Sequence, residues 1–292
     1  MSAGAVIETP SGKGAGDENF PVGSFLLPKR LRPHVAKYYA FARAIDDIAD
    51  NPSATPKEKL ARLDAMDLAI QGKQGRDDPA LAKAWACRES MLETNVDLAH
   101  ARDLISAFRQ DSLKNRYHDW ADLMDYCNRS ASPVGRYLLE LHGEDKAGFA
   151  QSDALCNALQ VINHLQDCAQ DYAKLDRVYL PGDWLAAEGA TVEMLSESRS
   201  PKPLRRVIDR CIAASRTLME KAHDLPGVLK SRHLAMESAV IVEVADRLLD
   251  ALESRDPVAE RVELSKPQFA LCAAKGAVAG FLTAGKKLRD RR

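Results

Sequence analysis

The sequence predicts an all-α protein. Apolar residues recur mostly at helical spacing, alternation of the kind that marks a strand is almost absent, and few segments concentrate Val, Ile, Thr and aromatics. Helices are expected at about 33–50, 80–93, 98–113, 120–141, 153–175, 202–223, 227–252 and 267–288. One further start is unusually legible. Thr55 can cap, Pro56 suits the first helical position, and Glu58 completes a capping box ahead of Leu60, Leu63, Met66 and Ile70. Pro and Gly fall between these segments, nothing repeats at a fixed period, and no long linker interrupts the middle. The economical division is a flexible tail over 1–18 and one helical domain over 19–292.

With 292 residues, 46% of them hydrophobic, the chain can bury a large core. Its 41 basic and 42 acidic residues nearly cancel, so no global field attracts nucleic acid and any phosphate recognition must be local. The six cysteines are scattered without a C-x-x-C pair or zinc spacing, which suits free thiols and a cytoplasmic location. Residues 1–18 have no apolar core of a signal peptide, and no apolar run reaches the ~18–20 residues that span a bilayer. The basic stretch 286–292 suits peripheral contact with anionic lipid at an inner membrane face, although a solvated helix end is the plainer reading. Gly12, Gly14 and Gly16 follow no strand and open no helix, so they fail the context for a dinucleotide site.

Two stretches carry chemistry. In YYAFARAIDDIAD, residues 38–50, Tyr39, Arg43, Asp46, Asp47 and Asp50 fall three or four apart on a helix whose other positions are mostly apolar. Carboxylates in such a setting repel one another and lose hydration unless cations sit among them. A hard divalent ion such as magnesium meets both needs, because it takes oxygen ligands from one or two carboxylates together with substrate phosphates. A second stretch, residues 160–181, aligns Gln160, Asn163, Asp167 and Asp171 on one helical face, with Arg177 and Tyr179 following. Either stripe alone is ordinarily a solvated face; two of them, each embedded in apolar helix and joined by Arg and Tyr, point to a metal and diphosphate site.

These residues resemble the squalene/phytoene synthases. Tyr39, Arg43, Asp46 and Asp50 match the first motif of that family, Gln160, Asn163, Asp167 and Asp171 the second, and Arg177 with Tyr179 the Arg-x-Tyr that follows. The segment YCNRSASPVG resembles the tyrosine-led segment that ends in Val-Gly, placing Tyr126 near a cavity and Gly135 at a close helix contact. ENFPVGSFLLP resembles the flap over the diphosphate, with Phe20 at its aromatic position. The resemblance runs from about Phe20 to about Glu263. It implies a helical bundle around a deep apolar cavity, with magnesium bridging the two acidic helices to a prenyl diphosphate. Arg43 and Arg177 would hold the leaving group, and Phe20 and Tyr126 would face the carbocation.

Departures from the family pattern select a branch. Gln166 stands where condensing members have arginine, Ser130 to Pro133 replace a Val-Ala-Gly, and the helix through Val242 to Asp246 lacks a tyrosine found in several members. With the flap phrase NFPVGS, these features resemble the bacterial hydroxysqualene synthases of hopanoid and squalene biosynthesis. That branch implies presqualene diphosphate as substrate, water as the trapping nucleophile, no nicotinamide, and handover to neighbouring enzymes of the same pathway as a compatible partner interaction. A transferase condensing two prenyl diphosphates is the alternative, and a non-catalytic assembly factor is a third reading. His142 and His164 read as structural, Trp85, Trp120 and Trp184 as packing anchors, and Arg136 as half of a salt bridge.

Overall fold

The computed structural model describes residues 27–284, so Phe20, the flap phrase up to Leu26, the tail over 1–18 and the basic stretch 286–292 lie outside the described residues. Thirteen α-helices are described: α1 (Arg32–Asp50), α2 (Pro56–Ile70), α3 (Ala82–Glu93), α4 (Ala99–Asp111), α5 (Trp120–Ser130), α6 (Ser132–Leu141), α7 (Phe149–Gln166), α8 (Cys168–Leu175), α9 (Gly182–Glu188), α10 (Lys202–Ala222), α11 (Leu225–Val228), α12 (Arg232–Ser254) and α13 (Lys266–Thr283). The expected all-α class is what is observed. Helix α7 runs through the middle, flanked by α5, α6, α10 and α12, while α1 packs on α2, α3 and α4. None of these helices is long and apolar enough to cross a membrane.

Local chemistry accounts for the helix starts. The box at α2 forms as expected, with Glu58 N–H donating to Thr55 Oγ1 at 3.3 Å and Thr55 N–H to Glu58 Oε2 at 2.8 Å. Ser265 and Gln268 form the same box at α13, while Asp119 and Ser231 cap α5 and α12 by accepting from the N–H groups of Asp122 and Leu234.

Three expected helices are broken. The helix expected over 120–141 divides at Ala131, because Pro133 in the first turn of α6 has no N–H for the preceding helix. The helix expected over 153–175 begins earlier, at Phe149, and divides at Asp167, whose ψ of 5° departs from helical geometry. The helix expected from 227 splits into α11 and α12 around an extended Leu229; there Glu144 accepts from the N–H groups of Lys230 and Ser231, at 2.9 and 2.7 Å, and holds the turn.

Two short parallel strands, β1 (Arg116–Tyr117) and β2 (Val178–Pro181), are absent from the sequence reading. They follow α4 and α8 and tie the ends of those helices together. Entry to β2 depends on Asp176, which closes α8 in the left-handed conformation at φ 52° and turns the chain so that Arg177 and Tyr179 face inward.

Helix α13 lies directly on α12. A Cβ at Gly276 would stand 2.5 Å from Val240 Cα, and one at Gly280 would stand 2.5 Å from the Ala235 carbonyl oxygen. The obstacles are backbone atoms, so no rotamer change relieves them. Gly276→Ala and Gly280→Ala should each destabilise the fold by about 1–3 kcal/mol, read as a lower midpoint in thermal unfolding. Unchanged midpoints would show that α13 does not sit this close.

Candidate active site

The helices enclose a cavity of about 300 Å³ whose wall collects side chains from α1, α4, α5, α6, α7, α8, β2 and α12. Tyr39, Arg43, Asp46, Asp50, Tyr126, Gln160, Asp171, Arg177 and Tyr179 all line it. Asp46 and Asp50 keep 26% and 35% of their side-chain exposure, which puts them at the mouth. Tyr38 and Tyr137, stacked with ring centres 3.8 Å apart, close the buried end together with Val35 and Leu138.

The two acidic stripes do not meet the cavity equally. On α1, Arg43 bridges Asp46 at 2.7 Å and Asp47 at 3.3 Å, and Asp47 is buried beside the helix without lining the cavity. The break at Asp167 splits the second stripe between α7 and α8. Gln160 and Asp171 reach the main cavity, whereas Asn163 lines an adjoining chamber of about 130 Å³. Asp167 pairs with Arg261 at 2.6 Å. Gln166, expected beside the substrate, is instead buried away from both chambers, and its amide donates to the Val262 carbonyl. It anchors the segment leading to α13 rather than replacing a cation at the diphosphate.

Arg177 joins the two halves. Its guanidinium donates to Asp50 at 2.6 Å, to the Ala49 carbonyl at 3.2 Å and to the Asp111 carbonyl at 3.1 Å. Burial opposes its charge, but Asp111 and then Asp50 outweigh burial and hold its pKa above the ordinary value. Asp111, at the end of α4, is a site residue that the sequence reading did not single out. Its carboxylate accepts from the Tyr126 hydroxyl at 2.7 Å and the Tyr179 hydroxyl at 3.5 Å. A signal was present, since an acid at a helix C-terminus opposes the macrodipole and needs a reason to be there.

The electrostatics follow from burial. Desolvation, reinforced by Asp50, pushes Asp46 up to about 7, and desolvation pushes Asp111 up to about 7 against the opposing pull of Arg177. The phenols of Tyr126 and Tyr179 are raised well above their usual range, first by burial and then by Asp111, so both remain donors. His164 lines the cavity, its ring 3.5 Å from that of Tyr179 and nearly parallel to it. Burial and then Arg177 push it down to about 3, which leaves a neutral imidazole at ordinary pH. His142 does not line the cavity; its Nδ1 lies 2.8 Å from the Leu138 carbonyl oxygen. Trp120 stacks on Trp184, and Arg136 makes a two-pronged pair with Asp153.

Among the described residues, no three His, Cys, Asp or Glu side chains converge closely enough to hold an ion by themselves. The donors at the mouth are nonetheless all carboxylate oxygens, gathered from α1 and α8. Such a set fits a hard divalent cation that takes its remaining ligands from water and a substrate diphosphate.

The Asp111 shift predicts a pH dependence. Its carboxyl keeps its proton in the folded state up to about 7, while the unfolded chain loses it near the ordinary 3.8. The unfolded state therefore binds fewer protons between these values, and this group makes stability fall as pH rises through that window. Relative to the parent, Asp111→Asn should raise the unfolding free energy at pH 8 against that at pH 5 by roughly 2–3 kcal/mol, at about 1.4 kcal/mol per unit. Urea titrations at the two pH values read this directly, and an unchanged difference would mean that Asp111 is not buried as described.

The profile of the family described as Squalene/phytoene synthase matches residues 14–268. The chain is 40% identical to a hydroxysqualene synthase of Zymomonas mobilis, over 94% of this chain and 92% of that one. It is also 40% identical to a hydroxysqualene synthase of Rhodopseudomonas palustris, over 91% and 90% of the two chains. The crystal structure of a squalene synthase from Alicyclobacillus acidocaldarius superposes with a TM-score of 0.70 at 31% identity, covering 80% of this chain and 87% of that one. A cavity lined by carboxylates, arginines and tyrosines within a helical bundle thus sits in a sequence that matches along nearly its whole length, and the chain belongs to the squalene/phytoene synthase family.

Proposed function

We propose that the chain is a hydroxysqualene synthase, a carbon–oxygen lyase that converts presqualene diphosphate and water to hydroxysqualene and diphosphate. The observation that carries this reading is its 40% identity, over more than 90% of its length, to two relatives bearing that name. The site's chemistry supports it. Asp46, Asp50 and Asp171 would hold magnesium against the diphosphate, with Asn163 and Asp167 as further oxygen donors of the second stripe. Magnesium supplies neutralisation of the charge that develops on the leaving diphosphate.

The chain's own groups account for the rest. Arg43 and Arg177, paired with Asp46, Asp47 and Asp50, line the same cavity and would add charge-assisted attraction for the departing phosphate oxygens. The ester C–O bond breaks with its electron pair leaving on diphosphate, so a cation remains among apolar and aromatic walls. Tyr38, Tyr126, Tyr137 and Tyr179 line the walls around it, and neutral His164 adds no competing positive charge. Phenols held protonated by burial take up no proton from it. Water oxygen then bonds to the rearranged carbon and releases a proton, with no net redox change and hence no need for a nicotinamide.

Incubation with presqualene diphosphate, magnesium and ¹⁸O-water should yield hydroxysqualene carrying the label. Consumption of farnesyl diphosphate to a cyclopropyl product would sink the lyase reading in favour of a condensing transferase. Asp46→Asn should lower turnover by at least about 100-fold, since it removes a metal ligand, while the variant unfolds no earlier than the parent because a buried charge is relieved. Turnover near the parental rate would remove Asp46 from the site.

A further inference from the structure

The main cavity and the adjoining chamber share part of one wall. Six residues line both: Ser130, Val134, Leu138, Gln160, Glu237 and Ile241. Val134, Leu138 and Ile241 are what a hydrocarbon cavity requires. Ser130, Gln160 and Glu237 add a hydroxyl, an amide and a carboxylate to that wall, polar groups of the kind that hold a water inside an otherwise apolar cavity.

The three polar groups differ in what they do there. Ser130 Oγ is buried and has no hydrogen-bond partner among the described residues. The Gln160 amide nitrogen lies 3.2 Å from Nε2 of His164, which leaves its carbonyl oxygen for another donor. Glu237 is 3% exposed, so its carboxylate belongs to the chambers and not to bulk water. None of the three belongs to the acidic mouth, where Asp46, Asp50 and Asp171 stand.

From this arrangement we infer that Glu237, with Ser130 and Gln160, positions the water that ends the reaction, and that Glu237 accepts its proton. The inference rests on the proposed hydroxysqualene-forming activity. Presqualene diphosphate carries its reacting carbons near the middle of a long hydrocarbon with an arm on either side. Two chambers that meet at a shared wall suit two arms, and the polar part of that wall then faces the middle. A water held there by a hydroxyl and an amide is kept away from the mouth, where it would capture the first cation before rearrangement. In the capturing step the water oxygen forms a bond to the cationic carbon. One O–H bond breaks, its proton passes to a Glu237 carboxylate oxygen, and the carboxyl returns that proton to solvent before the next turnover. The developing positive charge also favours an ionised carboxylate close by.

The test is product partition from presqualene diphosphate with magnesium, measured by mass in ¹⁸O-water together with diphosphate release. Glu237→Gln should cut the hydroxysqualene share of total products by about tenfold or more, replacing it with proton-loss or differently hydroxylated products. Diphosphate release should persist. Glu237→Asp should restore part of the hydroxysqualene share, and Ser130→Ala should lower it several-fold. A purely structural role for Glu237 would slow release and leave the partition unchanged, and that outcome overturns the inference. If Glu237→Gln does not fold, an unchanged partition in both Ser130→Ala and Glu237→Asp overturns it equally. Absence of hydroxysqualene from the unmodified chain is a different result, which overturns the proposed activity itself.

Discussion

The buried guanidinium of Arg177 is the constraint on which the site depends. One side chain reaches the end of α1 through Asp50 and Ala49, and the end of α4 through Asp111, while its own backbone leads into β2. A charge this well buried is tolerable only with several partners, and removing either side would leave an uncompensated ion in a low dielectric. Around it the hydroxyls of Tyr126 and Tyr179 converge on Asp111, and Tyr117, Tyr126, Tyr179 and His164 form a ring cluster beneath. Planar geometry matters here, because one guanidinium serves a carboxylate and two carbonyls lying in different directions.

The arginines also explain how acids this close coexist before any substrate arrives. Arg43 answers Asp46 and Asp47, Arg177 answers Asp50, and Arg261 answers Asp167. Asp46, Asp47, Asp50 and Asp167, all expected to meet metal, thus each have a guanidinium alongside. Even so, burial and then the neighbouring Asp50 keep the Asp46 pKa raised against the pull of Arg43.

Much of this was legible in the sequence, for a physical reason. Helical periodicity and the Thr55–Glu58 box are local signals, and the structure reproduces them in place. The apolar setting of Tyr39, Arg43, Asp46 and Asp50 marked a helix with an unusual stripe, and those four side chains line the cavity. What stayed hidden was tertiary. No spacing rule announces that Asp167 breaks a helix and sends Asn163 into a separate chamber, or that Gln166 serves Val262. Asp111 and Glu237 lie far along the chain from the motifs and acquire meaning only when α4 and α12 are folded against α1 and α7. The parallel pair β1–β2, two and four residues long, is too short to leave any period at all.

Helix α12 is covered on one face by α13, through Gly276 and Gly280, and on another presents Glu237 and Ile241 to the chambers. The hydrocarbon enclosure is therefore only one helix deep on this side, with α13 as its backing. A helix pressed so closely from behind cannot recede to admit a longer or bulkier chain. The size of ligand the chain tolerates is consequently set in part by two glycines that touch no ligand, and variation in substrate length among such proteins can arise at a helix pair remote from the chemistry.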